Sequence, residues 1–295
     1  MPTSGAIDRL EIEAGGLVFT GRACGPRDGR RVLLLHGFPQ TSWAWREELS
    51  ALGRAGYRAV APDQRGYCRG ARPGDVAAYG TEQLVGDIVA LADAMEMETF
   101  DLVGHDWGAM LGWIAASRYP GRVRSLSAVS TPHPLALRAA LEGEGADPVQ
   151  VAHGAAMASF RTPGLAEQLL LGADGSGAGL SLLLTETGLD GAHTRVYVEA
   201  LRAPGALTAA LNWYRAMDRA ALGDLDPVAV PTLYVWSTGD DAFRRAAAEG
   251  TARHVVGPYT FAVLEHVSHW IPEMAPVELS RLLLGHLGGP ATMEP

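Results

Sequence analysis

The chain has 295 residues, a formal charge of −9, no lysine, and arginines that nowhere form a cluster. That excludes the electrostatic footprint of a protein built to hold a phosphate backbone or an anionic membrane. Hydrophobic residues make up 47% and charged residues 19%, which is enough to bury a large interior and too apolar for disorder. The opening MPTSGAIDRLEIEAGG has no basic-then-apolar leader pattern, and no apolar run reaches the length of a membrane span. Two cysteines, Cys24 and Cys68, cannot make a disulfide framework, so a cytoplasmic protein with one core and an insertion is expected.

Taken in chain order, alternating hydrophobics at residues 7–13 and 17–23 flank Gly15 and Gly16 and predict a hairpin at a sheet edge. An apolar run at 32–35, a loop and an amphipathic stretch at 43–55 closed by Gly56 read as strand, loop and helix. The same alternation recurs through 57–61, 83–95, 100–103, 109–118 and 123–129, which predicts an α/β fold with a mostly parallel sheet covered by helices. After Pro132 and Pro134 the strand signal stops. The pattern is then helical to about residue 221, interrupted by a glycine-rich segment at 172–179 that reads as a mobile loop. Strands return at 232–236 and 261–264, with a helix between them and a last one at 277–287. The expected organisation is a core of 1–134 and 222–295 and a helical cap of 135–221.

Residues 102–108 read LVGHDWG, with a helix pattern immediately after. Glycines two before and two after Asp106 suit a tight strand-to-helix turn, a nucleophile elbow, with a helix N-terminus favouring an anion. A carboxylate at that position suits attack on saturated carbon, because the resulting ester can be cleaved by water whereas a serine would leave an ether. The alternative is that Asp106 merely caps the helix. Partners for an elbow follow in the expected chain order. The strand at 233–236 runs into Ser237, Thr238, Gly239 and Asp240, which places Asp240 as the orienting carboxylate with Asp241 as its rival. The loop 265–270 holds His266 and His269, and His269, pinned by Trp270 and Pro272, is taken as the base that deprotonates water while Asp240 fixes its tautomer. The turn His36-Gly37-Phe38-Pro39 can face the elbow, so the amides of Phe38 and Trp107 are the expected oxyanion hole. His36, His105 and His133 are read as scaffold, and Tyr197 as packing.

HGFPQ, PDQRGY, GHDWG, STPHP, LNWYR and VSHW together resemble the epoxide hydrolases of the α/β-hydrolase fold, the aspartate-nucleophile branch related to haloalkane dehalogenases. The resemblance spans nearly the whole chain. It implies a core sheet with a helical lid, in which Tyr214 reaches down to the epoxide oxygen as the ring opens, and Trp107, His153, Phe160 and Trp213 line the substrate pocket. It implies a small apolar epoxide and water as reactants, with no cofactor or metal; a homodimer stays open. Two departures stand out. The position of a second lid tyrosine holds Ala156, for which His153 is the candidate substitute, and Cys68 and Arg69 follow PDQRGY where small residues or proline are usual. A dehalogenase using the same Asp106 is one rival reading. Another is a non-hydrolytic member, an isomerase or cyclase or a ligand receptor, the last of which would tolerate Asp106→Asn.

Overall fold

The computed structural model describes residues 5–142, 146–217 and 225–288, leaving the side chain of Ala156 outside the description. Strands β1 (Asp8–Ala14) and β2 (Leu17–Cys24) pair antiparallel, with Ala14 opposite Leu17. Gly15 and Gly16 between them have φ of 57° and 77°, the positive pair that a two-residue hairpin turn requires. The sheet continues through β3 (Arg31–Leu35), β4 (Arg58–Pro62), β5 (Phe100–His105), β6 (Val123–Val129), β7 (Thr232–Ser237) and β8 (Tyr259–Leu264). Its order is β1-β2-β4-β3-β5-β6-β7-β8, with β2 antiparallel to β4 and all pairs from β4 to β8 parallel.

Helices α1 (Arg46–Arg54), α2 (Thr81–Ala94) and α3 (Trp107–Arg118) lie between the first six strands. Six more among the described residues fall between β6 and β7: α4 (Pro134–Leu141), α5 (Pro148–Met157), α6 (Leu165–Leu171), α7 (Ala178–Glu186), α8 (Gly191–Arg202) and α9 (Ala206–Ala216). The chain closes with α10 (Arg245–Gly250), α11 (Ile271–Met274) and α12 (Pro276–His286).

β3 shows how the sheet divides the interior. Val32 and Leu34 join a cluster with Leu49 and Leu52 of α1 and Leu279 and Leu283 of α12, whereas Leu33 and Leu35 join Leu84 and Ile88 of α2 and Trp113 of α3. That is the period-two alternation of a strand covered on both faces, and it explains why the central strands read as unbroken apolar runs.

Side chains tie the inserted helices to the rest. The Trp213 indole donates to the Arg65 carbonyl at 2.9 Å, the Trp270 indole to the Thr187 hydroxyl at 3.1 Å, and Gln150 to the Ala242 carbonyl at 2.8 Å. Two local expectations change. The helix expected at 43–55 is divided into a 3-10 turn, Ser42–Trp45, and α1, because the Thr41 hydroxyl accepts from the Trp43 amide and starts a separate turn. The glycine-rich segment expected as a mobile loop is a bonded turn: Gly177 donates to Leu171, Arg202 holds the Gly175 carbonyl, and the last residues of the segment already belong to α7.

Candidate active site

β5 runs straight into α3 through Asp106, whose φ of 52° and ψ of −117° place a non-glycine residue in a rarely occupied region. The Thr131 hydroxyl donates to the Asp106 carbonyl at 2.9 Å, as do the amides of Ala109 and Met110, so the surrounding structure holds the strained turn. The flanking glycines suit the tight turn by the space they leave. The strain sits on Asp106 itself, and the glycines provide space: a Cβ on Gly104 would lie 2.3 Å from the Gly108 carbonyl oxygen, and one on Gly108 would lie 2.0 Å from that of Leu35.

Asp106 stands at the N-cap position of α3, yet its side chain makes no capping bond. It faces His269 and the turn at Phe38 instead. Its Oδ1 accepts from the Phe38 amide at 2.8 Å, and its Oδ2 lies 3.7 Å from Nε2 of His269. Trp107 is the first residue of α3, so its amide is one of the unbonded donors at a helix start. Nδ1 of His269 lies 3.1 Å from Asp240 Oδ2, and Asp240, only 1% exposed, is itself held by the amides of Ala242 and Phe243. The rivals separate plainly, since Asp241 and His266 are both exposed.

Electrostatics follow this geometry. Burial alone would lower the His269 pKa, but the charges of Asp240 and Asp106 and their hydrogen bonds outweigh it and raise it to about 10. Burial would raise the Asp106 pKa; the imidazolium, His105 and the Phe38 amide more than offset it and hold the carboxyl below its ordinary value. The resting arrangement is therefore an ionised Asp106 facing a protonated His269.

Tyr214 on α9 closes the other side. Its ring meets Phe38, Trp107 and Phe160 edge to face, with centroids 5.4, 5.1 and 5.2 Å away. Burial and the negative charge of Asp106 push its phenol well above the ordinary range, against a hydrogen bond from the Trp107 side chain, so it remains a proton donor at neutral pH. Trp213, expected to line the pocket, is 1% exposed, its indole donates to the Arg65 carbonyl, and its ring lies against Trp107 at 5.6 Å. His153 lies half-buried on α5 and is not among the ring contacts of Tyr214. Ala156, the departure at the second lid tyrosine, lies outside the described side chains.

The three scaffold histidines are all buried. His36 bonds Gly37 and Gln64, and His133 accepts from the Leu135 amide. His105 bridges Gln40 and the His269 carbonyl. Gln40 and Glu273 escaped the sequence reading, although Gln40 closes the quoted HGFPQ. Among the described residues, no group of three or more His, Cys, Asp or Glu is placed to hold a metal ion.

Residues 30–276 match a family model described as the alpha/beta hydrolase fold. The chain belongs to the α/β hydrolase fold family. As a member of this family it is 32% identical to the AB hydrolase superfamily protein YfhM of Bacillus subtilis, over 94% of this chain and 96% of that protein. It is 31% identical to epoxide hydrolase A of Mycobacterium tuberculosis, over 88% of this chain and 90% of the relative. The crystal structure of epoxide hydrolase A from Mycobacterium thermoresistibile superposes with a TM-score of 0.80 at 26% identity, covering 96% of this chain and 99% of that one.

Proposed function

We propose that this protein is an epoxide hydrolase that opens an epoxide to a vicinal diol through an ester on Asp106. The observation that carries the reading is an elbow aspartate, in place of a serine, paired with His269 beneath the phenol of Tyr214. The names of the relatives support the same activity.

In the first step the Asp106 carboxylate attacks an epoxide carbon, the ring C–O bond breaks, and Tyr214 donates a hydrogen bond and then a proton to the leaving oxygen. Esterification removes the negative charge facing His269, so its pKa falls and it releases a proton to the pool from which the phenol is restored. Loss of that proton readies the base. In the second step neutral His269 takes a proton from water, the hydroxide adds to the ester carbonyl, and the Phe38 and Trp107 amides hold the developing oxyanion, each worth about a hundred to a thousandfold in rate. Collapse expels the diol and returns Asp106 and protonated His269. Asp240 keeps the imidazole in one tautomer throughout.

In this reading residues 135–221 form the cap, and Phe38, Trp107, Phe160 and Tyr214 enclose a small apolar substrate. His153 is the candidate second donor on that cap. A single turnover in water carrying oxygen-18, with enzyme in excess, tests the proposal. The first diol must carry no label, since its oxygen comes from Asp106, whereas a labelled diol means that water attacked the epoxide directly.

A further inference from the structure

Gln40, Tyr197, Glu273 and Glu48 take no part in the chemistry above, yet they form a buried polar cluster between the catalytic loops and the inserted helices. Glu273 lies on α11, four residues after His269, and is 5% exposed. Its Oε1 accepts from Nε2 of Gln40 at 2.7 Å and from the hydroxyl of Tyr197, on α8, at 2.5 Å. Gln40 in turn accepts the Gly37 amide on its Oε1 at 2.9 Å, one residue before the Phe38 amide that holds Asp106. The same Oε1 lies 2.8 Å from Nδ1 of His105, whose Nε2 lies 2.9 Å from the His269 carbonyl oxygen. One carboxyl oxygen thus joins an inserted helix to the oxyanion turn and, through His105, to the base loop. A 2.5 Å O–H···O contact has the length of a bond to an ionised acceptor.

The second oxygen of Glu273 and both oxygens of Glu48 are buried without a partner among the described residues. The groups facing Glu273 are Tyr197 from α8, Gln40 from the turn after β3, and Arg46 and Glu48 from α1. Burial pushes Glu48 well above the carboxylate range, which favours its neutral form. Burial also raises Glu273, to about 7, with the bonds from Tyr197 and Gln40 and the charge of Arg46 opposing the rise.

We propose that Glu273 is a positioning residue: as a carboxylate it clamps α8 and, through Gln40, the Phe38 turn into the arrangement that places the oxyanion donor on Asp106, and as a neutral acid it loosens both. The role in turnover rests on the reading of Asp106 as nucleophile and Phe38 as donor; the clamp itself does not. Protonation replaces two charge-assisted hydrogen bonds by neutral ones about half as strong, which amounts to about tenfold in the closed population for one bond.

Glu273→Gln keeps the acceptor oxygen and the volume but cannot ionise. Hydrogen–deuterium exchange of the segments carrying Phe38 and α8, corrected for intrinsic rate from about pH 5 to 9, reads the clamp directly. In the wild type, protection of both segments rises about tenfold as pH passes 7. In Glu273→Gln it stays at the wild-type acid level throughout. Matching profiles in the two proteins overturn the proposal. Tyr197→Phe, which keeps the ring in place, must loosen α8 while sparing the Phe38 turn, and equal protection of α8 in this variant also overturns it. For turnover, the acid limb of kcat that His269 gives both proteins is steepened in the wild type by Glu273 as pH falls through about 7, so kcat of Glu273→Gln falls less over the same range, with KM unchanged; limbs of identical shape in the two proteins refute the catalytic consequence. A wild type that turns over no epoxide refutes the functional reading alone, and exchange still decides the clamp.

Discussion

In a His269→Gln protein, Asp106 and Asp240 lose the imidazolium that lies 3.7 Å from one and 3.1 Å from the other. Removing one member of a buried ion pair costs about 3–5 kcal/mol. Here the low end applies, because Asp240 keeps the amides of Ala242 and Phe243, and Asp106 keeps that of Phe38 and is 17% exposed. A loss of about 3 kcal/mol lowers Tm by about 6–12 °C in a chain of this size, which leaves a folded protein. The nucleophile and the phenol remain, so the ester still forms, whereas its hydrolysis loses a base worth about a hundred to ten-thousandfold. The ester therefore accumulates. Intact mass after incubation with an epoxide gains the mass of one whole epoxide, and peptide mapping places it on Asp106. An unmodified protein, with an epoxide that the wild type turns over, refutes the covalent mechanism. Adduct formation that survives Asp106→Asn refutes the choice of nucleophile, and an alkyl adduct with halide released from a haloalkane identifies dehalogenation.

Tyr214→Phe keeps the ring contacts with Phe38, Trp107 and Phe160 and removes only the donor, so the single-turnover rate of ester formation falls by about a hundredfold or more while Tm changes little. Diol formation at the wild-type rate would remove Tyr214 from the mechanism. Trp213→Phe loses the indole bond to Arg65 and about 1 kcal/mol of stability, measured by chemical denaturation, with KM unchanged because an aromatic ring still lies against Trp107; equal stability of the two proteins refutes the contribution of that bond. For pH, His269 is raised from 6.5 to about 10, so the native state binds more protons than the unfolded state between those values. The stability it contributes is complete below about pH 6.5 and lost as pH rises through about 10, which gives Tm a downward slope that His269→Gln must reduce; an equal slope in both proteins shows that His269 does not hold its proton.

The elements and the meeting of Asp106, Asp240 and His269 are legible in the sequence because each carries a local signal. Strands β5 and β7, buried at every position, read as mainly apolar runs, and Asp106, Asp240 and His269 each lie in a turn or loop that follows a strand pattern. Asp240 was preferred over Asp241 by its spacing from Trp236, and it is the buried one of the two. What stayed hidden depends on contacts between distant segments. Nothing local shows that the Trp213 indole bonds the Arg65 carbonyl, 148 positions away. Tyr197 read as packing, which its burial fits, but its hydroxyl meets Glu273 across 76 positions of sequence, and no periodicity encodes such a pairing. The spacing of Gly104 and Gly108 signals the tight turn, within which Gly104 meets Gly108, but the approach of Gly108 to Leu35 is a tertiary fact that no local pattern carries.

The strained backbone of Asp106 has company. Four non-glycine residues have positive φ among those described, and three of them, Asp106, Ser130 and His266, stand just beyond the carboxyl ends of β5, β6 and β8. Unfavourable conformations are thus gathered along one rim of the sheet and balanced by the buried strands behind it, at about 1–3 kcal/mol each. For anyone engineering heat tolerance, the consequence is a division of the surface. The rim that carries Asp106 owes its shape to tension and will trade activity for any relaxation. Exposed apolar positions before the amino ends of the strands, such as Tyr119 ahead of β6 and Val256 ahead of β8, are free to be optimised.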